Sequence, residues 1–484
     1  MNTAKVAGTE VSTSHFIGGR RVESKQKFDV HSPIDGSHLA AVSAGGAAEI
    51  DGAVSAARRS FPAWAALGPH GRLPILKRFA QLIRDRAQQI SAVETADNGS
   101  LLMGNIARVI PRAAHNIEFF ADYALKLGHQ TIDSPEAVNH VRFDASGVSA
   151  LITPWNAPFM LTTWKVGPAL AAGNTVVVKP PEWAPLTCSL MADIATEAGV
   201  PPGVLNVVQG IGEEAGASLA AHPDIDRLSF TGSTDTAKLI GQSTARSLTP
   251  VSFELGGKSP YVVCADADLD AAAQTAAGQY MNAGQVCLAG TRVLVDEKVA
   301  AQFREKFCAA AAHMTVGDPR EKSTRVGPLI TPEHYRRVEG FVERALKAGV
   351  KPVWGGHHHN AGQLYFEPTL LEGAKQEMEI VQREVFGPVL TWQTFRDDDE
   401  LVELANGTNY GLAAMIFSKN EQRAMRLADR IVAGTVWVNC FFVRDLAAPF
   451  GGSRNSGIGR EGGTWSFDFF CDVKNIAVLK NSFA

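Results

Sequence analysis

Apolar residues recur at helical spacing from Ala47 to Glu94: Ile50, Val54, Ala57 and Phe61 fall on one face, and Leu76, Phe79 and Ile83 on another. The opening segment is therefore predicted to be helical. From Gly147 the period shortens. β-Branched runs at Val148 to Ile152, Thr175 to Lys179, Val204 to Val208 and Leu228 to Phe230 are separated by stretches long enough for one helix each. Such alternation predicts βαβ units and a parallel, doubly wound sheet. Gly and Pro punctuate its turns, at Pro154, Gly173-Asn174, Pro180-Pro181 and Pro201-Pro202-Gly203. A second alternating region runs from about Leu255 to Val438, with apolar runs at Tyr261 to Val263, Arg292 to Val295 and Ala413 to Phe417. It predicts a second α/β domain. The polar, strand-like stretch near His129 to Phe143 and the tail after Gly463 fit neither region. A projecting hairpin and a terminal strand that pair in an oligomer would account for both.

The chain has 484 residues, which at about 150 per domain implies two or three packed units. Lys and Arg number 46 against 50 Asp and Glu, a formal charge of −4, with 20% charged and 45% hydrophobic residues. That balance excludes a polyanion binder and a disordered chain. The six cysteines are scattered without CxxC or Cys/His ligand spacing, which argues against a disulfide framework and a zinc site. The run His357-His358-His359 reads as a solvated loop, and no metal is expected. The first fifteen residues lack the apolar core of a secretory signal and the Arg-rich pattern of a transit peptide. The stretch Leu161 to Val178 is interrupted by Lys165, Asn174 and two glycines, so no membrane span is expected. The expected compartment is the cytoplasm.

Four spans carry candidate chemistry. The first combines two glycine-bearing turns. GIGEEA, with Gly210, Gly212 and Gly216 after the run Val204 to Val208, nearly matches the dinucleotide fingerprint GxGxxG/A, although a tight turn would look the same. In SFTGSTDTA, Gly232 permits close approach while Ser233 and Thr234 offer a helix cap and an anion site. The second span is FELGGKSP, where Glu254 sits inside an apolar strand. Burial there would raise its pKa toward the range of a general base, or else an ion pair would neutralise it. In the third, NAGQVC, Cys287 follows a flexible Gly284. It is either a nucleophile, which requires a setting that lets it ionise, or a buried spacer. The fourth, TPWNAPF, holds the Asn156 amide between two prolines, as an oriented donor to an oxyanion would be. Together the spans describe one reaction. Cys287 attacks an aldehyde, Asn156 and the Cys287 N–H stabilise the oxyanion, hydride leaves to a nicotinamide, and water activated by Glu254 hydrolyses the thioester.

From Phe16-Ile17-Gly18-Gly19 to the final strand, the sequence resembles the NAD(P)-dependent aldehyde dehydrogenase superfamily. The family's motifs appear as Pro154-Trp155-Asn156, Glu254 to Lys258, Gly284 to Cys287, REVFGPV (Arg383 to Val389) and PFGGSRNSGIGREGG (Pro449 to Gly463). The resemblance implies an α/β fold with a Rossmann-like cofactor domain (1–128 and 147–253) and a second α/β catalytic domain (254–439). It also implies a small β oligomerisation arm (129–146 and 463–484), with 440–462 returning to the cofactor domain. By the same resemblance Cys287 is the nucleophile, Glu254 the general base and Asn156 the oxyanion donor, with Lys165 and Glu461 relaying the proton or forming a structural ion pair. Lys179 and Glu182 would carry the adenosine ribose, Ser233 would lie near the pyrophosphate, and Glu384 would hold the nicotinamide ribose with Phe386 packed nearby. Ile152, Thr153, Trp155, Gly212, Gly216, Phe230, Gly232 and Leu255 complete the expected cofactor site. A 2′-phosphate at Glu182 would face like charge, so NAD is favoured over NADP. Two departures stand out: the family's GSTxxG ends in Ala237, and its PFGG lysine is Arg454.

Within the superfamily, VIPRAAHNIEFFAD (Val109 to Asp122) and VNCFFVRDL (Val438 to Leu446) resemble the branch that oxidises hydroxymuconic semialdehydes in aromatic catabolism. That likeness implies a carboxylated substrate bound by Arg112 and Arg444 beside Phe450, since a guanidinium fork binds carboxylate bidentately. Alternatively, either arginine pairs with a local acid such as Asp445, and the enzyme is a broader aromatic or aliphatic aldehyde dehydrogenase. A non-catalytic binding protein on the same fold is the reading of another class, and intact Cys287, Glu254 and Asn156 oppose it. The expected partners are a small aldehyde and further copies of the chain, in a homodimer or homotetramer, with neither nucleic acid nor membrane.

Overall fold

The computed structural model describes residues 2–127 and 130–480. Residues 1, 128–129 and 481–484 lie outside the described residues, and with them the His129 start of the strand-like stretch, the 128/129 boundary and the end of the expected arm.

An eight-stranded sheet has the order Gly457–Ile458, Val251–Glu254, Arg227–Thr231, Val148–Ile152, Thr175–Lys179, Leu205–Val207, His15–Ile17 and Arg20–Val22. Its middle five strands run parallel and the strands at either edge are antiparallel. Thr175–Lys179 and Val148–Ile152 are buried at every residue. Cover on both faces is why they read as short runs without an alternating exposed face. The helix Pro158–Ala172 starts with proline at its first position and ends at Gly173, whose φ of +105° only glycine adopts without strain. Among the described residues no helix is long and apolar enough to cross a membrane.

The helical opening forms as three helices, Ala47–Ala66, Gly68–Asp85 and Ala87–Asn98. Ile50, Val54, Ala57, Leu76, Phe79 and Ile83 are buried, but Phe61 is only partly covered and Trp64, one turn on, fills that core position. Two hairpins that the pattern does not predict precede these helices. Thr3–Val6 pairs with Thr9–Ser12, and Lys27–His31 pairs with His38–Ser43.

The second sheet has seven strands, ordered Lys351–Trp354, Thr369–Glu372, Val389–Phe395, Arg292–Asp296, Pro260–Val263, Ala413–Phe417 and Thr435–Val438. Only the first of these is antiparallel to its neighbour. A third sheet joins Cys471–Leu479, Ala137–Ala145 and Gln130–Asp133, and leaves Ile132, Val473 and Ile476 exposed. Residues 463–470, which the pattern assigns to this arm, form a helix instead. Phe467 and Phe470 of that helix enter the core beside Trp164 and Ala169, so the terminal strand begins only at Cys471.

Candidate active site

Ile152, Lys179 and Glu254 are the last residues of parallel strands in the first sheet, and Gly232 follows the end of another, Arg227–Thr231. The carboxyl edge of an open parallel sheet is where such folds bind ligands. Glu254 is 5% exposed, and neither carboxylate oxygen has a hydrogen-bond partner among the described residues. No ion pair neutralises it there either, which removes the ion-pair alternative. Burial pushes its pKa well above the usual carboxylate range, and Glu461 raises it further against Lys165, Arg444 and Arg460. Gly451, at φ +153°, passes so close that a Cβ there would lie 2.9 Å from Glu254 Oε1.

Cys287 follows a turn in which Asn282, Ala283 and Gly284 all have positive φ. Gly284 is required at this point: a Cβ would fall 2.1 Å from the Gly387 carbonyl. Gln285 then anchors the segment by accepting from the Ile330 N–H (3.0 Å) and donating to the Asn282 carbonyl (3.0 Å). The Asn156 amide donates to the Gln285 carbonyl at 3.0 Å, which brings the expected oxyanion donor within two residues of the thiol. Cys287 as a whole residue is partly exposed. Burial, then Glu384 and Glu254, push its pKa up to about 12, while Arg444 and the Leu288 N–H oppose the rise. The resting thiol is therefore protonated, and a base must take its proton before attack.

Lys165 and Glu461 form a buried ion pair, Nζ to Oε1 2.8 Å. Lys165 also donates to Ser229 Oγ (2.8 Å), and the Trp164 indole N–H donates to the second oxygen of Glu461. Ser229 and Trp164 carried no signal in the sequence, because a lone serine in a strand and a tryptophan in a helix are ordinary core residues.

The expected cofactor residues cluster along the strand ends. Lys179 Nζ pairs with Glu182 at 2.6 Å, and Glu182 accepts the Gly212 N–H at 3.4 Å. A side chain at Gly216 would meet open space, so this glycine does not serve the close helix packing of the fingerprint. At Gly232 a Cβ would strike the Phe230 ring at 2.4 Å. Ser233 caps the helix Thr234–Thr244 by accepting the Thr236 N–H, and the departure Ala237 is simply buried in that helix. Arg454, the second departure, donates to the carbonyls of Asn406 and Thr408 (2.8 and 2.7 Å), away from the chemistry. Thr153 accepts from Thr162, and the Leu255 N–H donates to the Ser456 carbonyl. Glu384 accepts the Gly257 N–H at 3.0 Å, and a Cβ on Gly256 would lie 2.3 Å from its other oxygen. Bare backbone at Gly232 and Gly256, carboxylates at Glu182 and Glu384, and a row of strand ends between them fit an elongated ligand with two ribose diols.

Arg444 lies over Phe450, its guanidinium carbon 3.7 Å from the ring centroid, and 4.8 Å from that of Trp164. Its Nη2 is buried without a hydrogen-bond partner among the described residues. Arg112 donates Nε to Asn116 Oδ1 at 3.0 Å, and Asn116 is held in turn by Met160 and Thr163. Burial lowers the pKa of Arg444 to about 10, with the charge of Arg112 the next cause. Among the described residues neither arginine has an ion pair within 4.0 Å, with Asp445 or any other acid; Asp445 instead accepts the Ala447 N–H. Arg444, electrostatically coupled to Cys287 and Glu254 and repelled by Arg112, thus has no ion-paired anion among the described residues, while Arg112 is coupled to Asp445 without an ion pair.

The aldehyde dehydrogenase family model matches residues 21–476. A 2-aminomuconic semialdehyde dehydrogenase of Danio rerio is 38% identical, covering 96% of this chain and 97% of the relative. A 2-hydroxymuconic semialdehyde dehydrogenase of Pseudomonas sp. (strain CF600) is 41% identical, covering 96% and 99%. The NAD+ complex of an aldehyde dehydrogenase from Bacillus cereus superposes with a TM-score of 0.94 at 36% identity, covering 97% of this chain and 96% of that one. With the doubly wound fold and these matches over nearly the whole chain, the chain belongs to the aldehyde dehydrogenase family, enzymes that oxidise aldehydes.

Proposed function

We propose that this enzyme oxidises a carboxylated semialdehyde of the hydroxymuconic type to the corresponding carboxylate, with NAD as acceptor. The observation that carries the reading is the Arg444 guanidinium near the thiol, its Nη2 buried without a hydrogen-bond partner among the described residues, with Arg112 as its charged neighbour. A substrate carboxylate would supply the missing charge, each charge-assisted bond contributing about 1.5–3 kcal/mol. Phe450 and Trp164 hold the Arg444 guanidinium by its faces, leaving its edge for the carboxylate.

Glu254, unpaired and with its pKa raised, takes the Cys287 proton directly or through water. The thiolate attacks the aldehyde carbon, and the Asn156 amide and the Cys287 N–H stabilise the resulting oxyanion. Lys179, Glu182, Ser233 and Glu384 would hold NAD, which when bound would accept the hydride. Cys287 then carries a thioester. Glu254 removes a proton from water, the hydroxide attacks the thioester carbon, and the carboxylate leaves as the thiolate is restored. Lys165 and Glu461 hand the proton onward from the base. In this reading the eight-stranded sheet belongs to the cofactor domain and the seven-stranded sheet to the catalytic domain. The three-stranded sheet, with Ile132, Val473 and Ile476 exposed, pairs subunits in a homodimer or homotetramer.

The test is NAD reduction on hydroxymuconic semialdehyde, its carboxymethyl homologue, and neutral aromatic and aliphatic aldehydes, each repeated with NADP. A kcat/KM much higher for the carboxylated aldehydes is expected. Equal rates on neutral aldehydes would return the enzyme to a broad-specificity class.

A further inference from the structure

His334 and Arg337 stand about one turn apart on the helix Pro332–Lys347 and meet a single loop. Arg337 donates to the Glu384 carbonyl at 2.7 Å and to the Val385 carbonyl, while His334 Nε2 bonds the Phe386 carbonyl at 2.8 Å. Three consecutive carbonyls are therefore held by two side chains of one helix. The first turn of that helix is itself fixed, because the Thr331 hydroxyl accepts the His334 N–H at 3.1 Å. Arg337 is braced by the Phe341 ring, 5.1 Å from its guanidinium carbon.

The loop needs such holding. Phe386 sits at φ +59°, a left-handed conformation that a bulky residue adopts only when its surroundings impose it. Its ring lies edge-on to Trp155, centroids 5.2 Å apart, and the His334 ring closes the cluster at 5.2 Å from Trp155 and 6.1 Å from Phe386. His334 is 4% exposed, and burial lowers its pKa to about 4, so near neutral pH it carries one N–H, which the Phe386 carbonyl places on Nε2. On the other side of the loop, the Glu384 carboxylate meets the Gly257 N–H and the bare backbone of Gly256. These glycines directly follow Leu255 and the general base Glu254.

We propose that His334 and Arg337 form a clamp that sets the Glu384 carboxylate and the Phe386 ring for the nicotinamide ribose half of the dinucleotide. They are positioning residues: they act through the loop and touch neither substrate nor the reacting atoms. The proposal rests on the reading of Glu384 as the ribose acceptor.

The experiment compares His334→Ala, His334→Phe, His334→Gln and Glu384→Gln in the full-length enzyme, reading KM for NAD, KM for the aldehyde, NADH affinity by fluorescence, and the thermal midpoint. His334→Ala and His334→Phe are each expected to raise KM for NAD about 5- to 10-fold, the loss of one hydrogen bond, with KM for the aldehyde unchanged. His334→Phe keeps the ring packing and lacks the donor, whereas His334→Gln keeps a donor and should recover most of the NAD affinity. Wild-type KM for NAD in His334→Phe would overturn the clamp, as would equal rises in both KM values or no rescue by glutamine. If Glu384→Gln leaves NAD binding unchanged, the ribose reading itself fails. If Glu384→Gln weakens NAD and the His334 variants do not, the clamp fails and that reading stands. Should His334→Ala not fold, Arg337→Gln gives the same contrast, with the same rise in KM for NAD expected and a wild-type value overturning the clamp.

Discussion

Replacing Arg444 by methionine should make the protein more stable and a worse enzyme for one substrate class. Burial brings the guanidinium pKa from its ordinary value down to about 10. At about 1.4 kcal/mol per pH unit, holding it charged in the fold costs about 3 kcal/mol. Stacking on Phe450 and Trp164 returns about 1 kcal/mol of this, leaving a net cost of about 2 kcal/mol. The sign follows from linkage. The folded pKa lies below the unfolded one, so the cost is present in full at every pH below about 10 and fades as pH rises from the folded pKa towards the unfolded one. Arg444→Met keeps the apolar stem against both rings and removes the charge, so its urea midpoint at pH 7 should rise. Oxidation of a carboxylated semialdehyde should lose about 1.5–3 kcal/mol of transition-state binding, roughly 10- to 150-fold in kcat/KM. Neutral aldehydes should change little. A lowered midpoint, or an equal loss on charged and neutral aldehydes, would refute the assignment of Arg444 as an unpaired cation awaiting a carboxylate.

Two further outcomes follow from buried groups elsewhere. Lys165→Met or Glu461→Gln leaves a buried charge unpaired and should cost about 3–5 kcal/mol each in urea unfolding. The double variant should cost less than the sum, and strict additivity would show that the pair is not a unit. His15 is buried, its Nδ1 accepts the Gln209 N–H, and burial lowers its pKa from 6.5 to about 4. The neutral ring therefore stabilises the fold above pH 6.5, and that contribution, up to about 3 kcal/mol, is lost as pH falls through 4. The stability gap between wild type and His15→Asn should narrow over that window, and a gap independent of pH would count against a buried neutral ring.

The parts of the fold that were legible are those whose burial leaves a mark on local sequence. Thr175–Lys179 and Val148–Ile152 are covered on both faces and so show no alternation of apolar and exposed positions. Gly284 and Gly256 are legible for a related reason, since a Cβ at either would strike backbone or carboxylate. The helix Gly463–Phe470 was not legible: its aromatic residues are weak helix formers, and burial of Phe467 and Phe470 decides the conformation. The hairpin Thr3–Val6 with Thr9–Ser12 is too short to show a period. At the site, Cys287, Glu254 and Asn156 sit in motifs of their own. His334 and Arg337 instead act on carbonyls 47 to 52 residues away, a contact with carbonyls that any residue would present. The missing anion at Arg444 is likewise visible only in three dimensions.

The most direct measurement is single-turnover NADH formation by the Glu254→Gln variant with a carboxylated semialdehyde, followed by intact mass of the quenched protein. The account predicts at most one equivalent of NADH per site, formed slowly because Glu254 no longer takes the thiol proton, with an acyl adduct on Cys287 that persists because no base activates water. Full catalytic turnover without an adduct, or an adduct on another cysteine, would contradict it.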